Sequence, residues 1–389
     1  MKVYLDHAAT TYVDEDVLQA MMPYFVDTFG NASSQHQYGQ ASLNAVDRAR
    51  EQVAAAICAR PSEIYFTSGG TEADNWAIKG IAHAYQHKGK HLITTVVEHH
   101  AVLHPMEQLE KEGFEVTYLP VHADGRVDLE ALKKAIRPDT ILISVMFANN
   151  EIGTIQPIAE IGKIAKEHKI FFHTDAVQAM GACPIDVKEL GIDLLSMSAH
   201  KFYGPKGVGA LYIRTGVKPQ KLITGGAQER TMRGGTLNTP GIVGMGEALS
   251  KAVRDMEKNN EHIRALRDYF VAEVLKCIPD VVVNGGMEHR LPNNANISFK
   301  FIEGESILLS LDMDGIAASS GSACSSGSLD PSHVLLATGL PVEYAHGSIR
   351  FTFGKSTTKE AVDYTLECLK NTIEKLRAWS PLYADHIRR

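Results

Sequence analysis

Apolar positions along this chain follow two alternating patterns. Between residues 64 and 213, short β-branched runs without polar alternation recur at 64–67, 92–97, 116–119, 140–146 and 170–173, with two more at 191–195 and 208–213. Such runs read as strands buried on both faces. The segments between them repeat apolar residues every three or four positions, which predicts helices over 71–85, 101–111, 128–136 and 158–168. Upstream, Val17, Met21, Tyr24 and Phe25 share a helical face behind a capping Asp14, and Leu43, Val46, Val53 and Ile57 another over 42–59. A polar loop, 30–36, separates the two.

Strands alternating with helices describe a mainly parallel sheet covered on both sides, with ligands expected in the loops after the strands. Beyond residue 240 the pattern changes. A helix over 240–255 carries a small-residue face of Gly241, Gly244, Gly246 and Ala248, and a strongly amphipathic helix covers 261–277. Short strands at 281–283, 296–299, 316–317 and 348–351 follow, with helices over 305–311 and 358–379. The expected fold is α/β: a mainly parallel, seven-stranded type of sheet flanked by helices, with a smaller α+β C-terminal domain. The large domain is expected over 13–255, and the small one over 1–12 and 256–389.

Composition changes this picture little. With 389 residues, 44% hydrophobic and 22% charged, the chain is an ordinary globular one, long enough for two domains. Its formal charge of −7 offers no basic footprint for nucleic acid or an anionic membrane surface. No apolar run reaches the roughly 18 residues of a membrane helix, and the first residues are no signal peptide. A cytoplasmic location is expected. The five cysteines are odd in number and contain no C-x-x-C pair, which argues against a disulfide framework and a zinc site. Cys58, Cys183, Cys277 and Cys368 occupy apolar or helical contexts where cysteine is usually a small core residue. Cys324 does not.

The candidate chemistry lies mostly in the loops after strands. Lys201, in Ser198-Ala-His200-Lys201, falls between two strands. Burial would depress its pKa and leave an amine able to attach to an aldehyde, whereas an isolated motif of this kind would be a surface hairpin. Ser68-Gly-Gly70-Thr71 opens a helix and, with Ser198 and His200, could cradle a phosphate, although Gly-Thr is also common at helix caps. Asp175, at a strand end, would pair with a pyridinium nitrogen or simply cap a turn. His99 follows another strand and could lie flat on an aromatic ring, a structural histidine being the plainer reading. His83 and His87 lie four apart on a helix, lack a third ligand and read as a solvated face. A lysine, a carboxylate, a flat partner and a phosphate cup together make a pyridoxal phosphate site. Arg350 sits in an apolar strand and needs a carboxylate, from an amino-acid substrate or an internal Asp or Glu. Asn149-Asn150-Glu151 could add a carboxamide donor. Cys324 stands alone in a run of Ser and Gly, a loop suited to a nucleophile that swings out or to an incidental linker.

With these residues in view the chain resembles the cysteine desulfurases of the NifS/IscS group, members of the class V aminotransferase-like, fold-type I pyridoxal phosphate enzymes. The match runs through YLDHAATT (4–11), the Gly-Asn-x-Ser-Ser loop (30–34), FTSGGTEADN (66–75), EHHAV (98–102), NNEIG (149–153), HTDAVQ (173–178), SAHKFYGPKGVG (198–209), RGGTLN (233–238), SSGSACSSGS (319–328) and GSIRF (347–351). The resemblance implies homodimers that take sulfur from L-cysteine, release L-alanine and pass the sulfur to an acceptor such as an iron–sulfur scaffold or a tRNA-thiolation relay. It makes Lys201 the Schiff-base lysine, Asp175 the pyridinium partner, Gln178 the donor to the ring hydroxyl oxygen and His99 the stacking acid/base. Gly70, Thr71, Ser198 and His200 resemble the phosphate site, and Thr236 matches a residue that reaches the phosphate from the other subunit. Asn150 and Arg350 resemble the substrate-carboxylate clamp, and Cys324 the persulfide-forming nucleophile. No resident metal is implied, Cys324 being at most a transient iron–sulfur ligand. Ala32 stands where a proline is common in the family. The competing readings are a selenocysteine lyase, which the same site could support, a class V aminotransferase, which has no use for the thiol, and a catalytically idle scaffold for assembly partners.

Overall fold

The computed structural model describes residues 1–320 and 331–387. In chain order its strands are β1 (Val3–Tyr4), β2 (Ile64–Thr67), β3 (His91–Thr95), β4 (Glu115–Leu119), β5 (Thr140–Ser144), β6 (Phe171–Asp175), β7 (Leu194–Ser198), β8 (Gly209–Ile213), β9 (Val281–Val283), β10 (Asn294–Phe299), β11 (Ile316–Ala317) and β12 (Ser348–Thr352). Seven of them form one sheet in the order β2-β8-β7-β6-β5-β3-β4. From β7 to β4 every pairing is parallel, whereas β8 runs antiparallel to both β7 and β2.

Successive side chains of these strands leave opposite faces, and both faces are covered. Ile93, Ile143, Phe172 and Leu195 pack with Val46, Val53 and Met245 on one side. Their neighbours Leu92, Leu142 and Leu194 pack with Trp76, Ile81 and Val102 on the other. That double burial is why the strands show no polar alternation. Trp76 is fully buried, and its indole N–H donates to the Gln220 carbonyl at 3.0 Å, so the large ring is buried without leaving a polar orphan. The small-residue face beyond residue 240 has a direct use. The helix Thr239–Arg254 lies so close to the helix Gln37–Ala56 that a Cβ on Gly246 would stand 2.8 Å from the Ala49 Cα.

A second apolar cluster joins Val3 and Leu5 to Phe270, Ile297, Phe299, Phe351 and Ile373. Here β9, β10 and β12 form an antiparallel sheet, and β1 pairs in parallel with β11 through Val3 and Ile316. The chain therefore starts among C-terminal residues. It then runs toward the end of β7, where the Thr11 hydroxyl donates to the His200 carbonyl at 2.8 Å.

Several expectations need correction. The helix expected over 14–25 is two, Glu15–Met21 and Pro23–Val26, because Pro23 has no N–H to continue the first. The next helix begins at Gln37, earlier than its apolar stripe, with the His36 ring accepting from the Gly39 N–H at 3.2 Å. Short helices at His333–Ala337, Val342–Ala345 and Pro381–Ile387 are too brief or too exposed to leave a period. Of the four scattered cysteines, Cys183 and Cys368 pack against the apolar clusters as expected, and Cys58 and Cys277 do not. Cys58 and Cys277 are exposed near helix ends, and Cys183 and Cys368 are half-buried.

Candidate functional site

Five strands of the large sheet deliver the site. Asp175 is the last residue of β6 and Ser198 of β7, with the short turn Ala199–Lys201 following at once. The loops after β2, β3 and β5 bring Gly70 and Thr71, His99, and Asn150. All of these, with Gln178, His200 and Arg350, line one cavity of about 270 Å³. The residues expected to hold a phosphate, a ring nitrogen, an amine and a substrate carboxylate are thus gathered in one place.

Lys201 is half-buried, less enclosed than its setting between strands implies. Its Nζ donates to the Ala9 carbonyl at 2.9 Å and also to that of Ala8. The Gln178 amide donates to the same Ala8 carbonyl at 3.0 Å. Asp175 is buried, and one of its oxygens accepts from the Val177 N–H at 2.9 Å, so it does cap a turn as well as facing the cavity. Burial raises its pKa to about 6, against the opposing pull of the Val177 N–H and the Lys201 charge. Asp74, fully buried beside it, is driven well above the carboxylate range by burial and then by Asp175.

His99 caps the helix His100–Lys111, its Nδ1 accepting from the Ala101 N–H at 3.1 Å, which places the ring proton of the neutral form on Nε2. Burial, then the charge of Lys201, lowers its pKa to about 4, so at neutral pH it is an uncharged ring. His200 is also lowered to about 4, by burial and then by Lys201 and Lys206, and its Nδ1 is 3.0 Å from the Thr10 hydroxyl.

Of the three residues at 149–151, only Asn150 lines the cavity. The Asn149 side chain is buried, donating to the Val97 carbonyl and accepting from the Glu151 and Ile152 N–H groups. Glu151 accepts from Ser332, and burial raises its pKa to about 7. Arg350 is 2% exposed and meets an internal carboxylate, one of the two kinds of partner anticipated for it. Nη2 donates to the Asp6 carboxylate and Nη1 to the Asn150 carbonyl, each at 3.0 Å. Its Nε is buried without a hydrogen-bond partner among the described residues.

These residues fit pyridoxal phosphate. Helix Gly70–Tyr85 begins without a side-chain cap, so its first N–H groups are offered to an anion beside Ser198 and His200. A Cβ on Gly70 would stand 2.7 Å from Val177 Cγ2, so the cradle needs glycine there. Asp175 is a buried carboxylate whose ionised form calls for a cationic neighbour such as a protonated ring nitrogen, and the Lys201 amine lines the same cavity. Among the described residues no cluster of three or more His, Cys, Asp or Glu side chains could hold a metal ion.

One expected residue is not brought into the cavity by this chain. Thr236 is exposed in the loop before helix Thr239–Arg254. Cys324 lies outside the described residues. His83 pairs with Glu112 at 2.7 Å, away from the cavity-lining residues. The site also uses residues to which the sequence motifs assign no role, the first of them within YLDHAATT (4–11). The segment Asp6–Thr11 touches Arg350, Lys201, Gln178 and His200, mostly through main-chain atoms that no side-chain pattern reveals. Asp74 is a buried acid that lines the cavity, and Glu98 is a buried acid that accepts from the main chain of Met146, a lining residue. A carboxylate on the buried face of helix Gly70–Tyr85 is a legible signal for the first.

The class-V aminotransferase family matches residues 3–365 of the chain. The chain is similar to the cysteine desulfurase IscS of Dictyoglomus turgidum, with 60% identity over 380 residues, 98% of this chain and 96% of that protein. It is 58% identical over 386 residues to the cysteine desulfurase IscS of Methanosarcina thermophila, covering 99% of this chain and 95% of the other. Among solved structures, a NifS-like protein superposes with a TM-score of 0.91 at 40% identity, over 97% of this chain and all of that one. SspA in complex with cysteine gives 0.81 at 39% identity, over 92% of this chain and all of the other.

Proposed function

The chain belongs to the class-V aminotransferase family, and on that premise we propose how its residues divide the work of a pyridoxal 5'-phosphate-dependent cysteine desulfurase, the activity it shares with its relatives. The reaction takes the sulfur of L-cysteine and leaves L-alanine. The observation that carries the residue assignments is the single cavity in which Lys201, Asp175, His99, the Gly70–Thr71 cradle and Arg350 meet.

Bound there, pyridoxal phosphate supplies an aldehyde that takes up amines and a ring that draws electrons from the substrate α-carbon. Gly70, Thr71, Ser198 and His200 hold its phosphate, with Thr236 of a second copy completing that site. Asp175 would keep a proton on the ring nitrogen, Gln178 would donate to the ring hydroxyl oxygen, and His99 would offer the ring an uncharged imidazole. Arg350 and Asn150 orient the substrate carboxylate. Lys201 would anchor the cofactor through its amine and, assisted by His99, would carry the substrate α-proton on Nζ. The Cys324 thiolate attacks the substrate sulfur. An S–S bond forms as the Cβ–S bond breaks, the carbon keeps the electron pair, and protonation completes the alanine methyl group. Cys324 is left as a persulfide.

The finer statements rest on the same reading. The chain divides into a cofactor-binding part, 13–255, and a smaller part, 1–12 with 256–389; the separate apolar cluster of Val3, Leu5 and the C-terminal residues supports this division. A homodimer accounts for the exposure of Met22, Phe25, Val26, Phe29 and Tyr38 on one stretch of the chain, and for Thr236 facing outward. The persulfide passes to an acceptor protein, an iron–sulfur scaffold first among them. Among the described residues no helix is long and apolar enough to cross a membrane, and the assigned compartment is the cytoplasm.

The test is direct. Purified protein loaded with pyridoxal phosphate should convert L-cysteine and a thiol reductant into equal amounts of alanine and sulfide, and Lys201→Ala should stop both. Alanine formed at an unchanged rate by Lys201→Ala would remove the assignment.

A further inference from the structure

Arg350 already holds a carboxylate, and it belongs to the protein. Asp6 Oδ1 accepts from Nη2 at 3.0 Å, the Asn150 carbonyl accepts from Nη1 at 3.0 Å, and Nε is buried with no hydrogen-bond partner among the described residues. Arg350 is 2% exposed and lines the cavity, so its guanidinium is desolvated where it stands. A buried guanidinium without a counter-charge would be costly, and Asp6 relieves that cost. Relief has a consequence for any carboxylate that arrives. With Nη1 held by the Asn150 carbonyl, the Nε–Nη2 edge is the fork left to an arriving carboxylate, and its Nη2 is already engaged by an anion.

We infer that Asp6 is an internal competitor for the substrate carboxylate at Arg350, a residue that sets how tightly this site holds any carboxylate. The inference rests on the assignment of Arg350 as the carboxylate clamp. Asp6 is well anchored for this task. Its own carbonyl accepts from the Ala9 N–H at 3.0 Å, and the His7 N–H next to it donates to the Thr352 carbonyl at 3.4 Å. Its main chain is therefore held beside Arg350 when a second carboxylate binds, and the two negative charges compete for one guanidinium. Repulsion of that kind weakens binding in the ground state, for product as well as for substrate. A site that must release alanine after every turnover gains from it. Asp6 acts through Arg350 and is a positioning and specificity residue rather than a catalytic one.

Propionate, which has alanine's carboxylate and no amine to react, is the probe. Its affinity for full-length, cofactor-loaded protein can be read by ligand-observed NMR titration, with thermal melting as a check on folding. Asp6→Asn keeps the side-chain shape and an oxygen for Nη2 while removing the charge. It should bind propionate on the order of tenfold more tightly than the unaltered protein, and Asp6→Ala should also bind it more tightly. In an Arg350→Gln background, Asp6→Asn should change nothing. Unchanged or weaker binding in both folded Asp6 variants overturns the inference while leaving the clamp in place. Propionate binding that is indifferent to Arg350→Gln overturns the clamp itself, and the inference with it.

Discussion

The Lys201 side chain donates to the main-chain carbonyl of Ala9 at 2.9 Å, and to that of Ala8 beside it. The lysine proposed to anchor the chemistry is thus steered by backbone from near the N-terminus. The same segment reaches Gln178 through the Ala8 carbonyl and His200 through Thr10 and Thr11. Two neighbouring carbonyl acceptors hold Nζ in the wall of the cavity that Asp175, His99 and Arg350 also line.

Lys201→Ala should lower alanine production by about three orders of magnitude or more, the scale of losing a positioned acid–base group together with the cofactor anchor. Lysine is not needed for the fold here, because the carbonyls it leaves lie beside the cavity and can be hydrated. Thermal melting should therefore change little while alanine release, followed by chromatography, collapses.

Gly70→Ala probes the phosphate cradle. The added Cβ would stand 2.7 Å from Val177 Cγ2, on a β-branched side chain with little freedom to turn away. Cofactor affinity should fall by about tenfold or more, measured by reloading cofactor-free protein, and Val177→Ala in the same chain should restore part of it.

Arg350→Lys keeps the charge and loses the fork. With the bidentate contact gone, kcat/KM for cysteine should drop by roughly 10- to 100-fold, mainly through KM. Equal kinetics in steady-state assays would mean that the substrate carboxylate is held elsewhere.

Glu98 gives the pH dependence. It is buried, accepting from the Met146 N–H at 3.0 Å and the Thr95 hydroxyl at 2.7 Å, and burial pushes its pKa up to about 8. An unfolded glutamate titrates near ~4.3. Because the folded value is the higher one, the residue opposes folding increasingly as pH rises from about 4 to about 8. Glu98→Gln removes that burden. Relative to the variant, the unaltered protein should lose roughly 3 kcal/mol of stability between pH 5 and pH 8, read from urea unfolding at the two pH values. Parallel curves would contradict the assignment.

Much of the fold and of the site is legible in the residues alone. The large sheet shows itself because its strands, buried on both faces, are unbroken apolar runs, and Asp175, Ser198 and Lys201 stand out where such runs end. The reversed direction of β8 does not, since an apolar run carries no sign of its orientation. The Met22–Pro23 break is written in the proline and is masked by the apolar stripe running across it. The Asp6–Arg350 pair joins residues 344 positions apart, and the Ala8 and Ala9 carbonyls belong to two of the least distinctive side chains in the sequence. Contacts made by main chain, or across the whole length of the molecule, leave no local period to detect.

The central claim is that the sulfur of cysteine leaves on a residue of this chain. Loaded protein incubated with L-cysteine and no reductant, then digested and examined by mass spectrometry, tests it most directly. The account predicts one added sulfur atom on the peptide containing Cys324, with one alanine released for each. Alanine released in that amount with no sulfur on Cys324, or with sulfur on another cysteine instead, would contradict it.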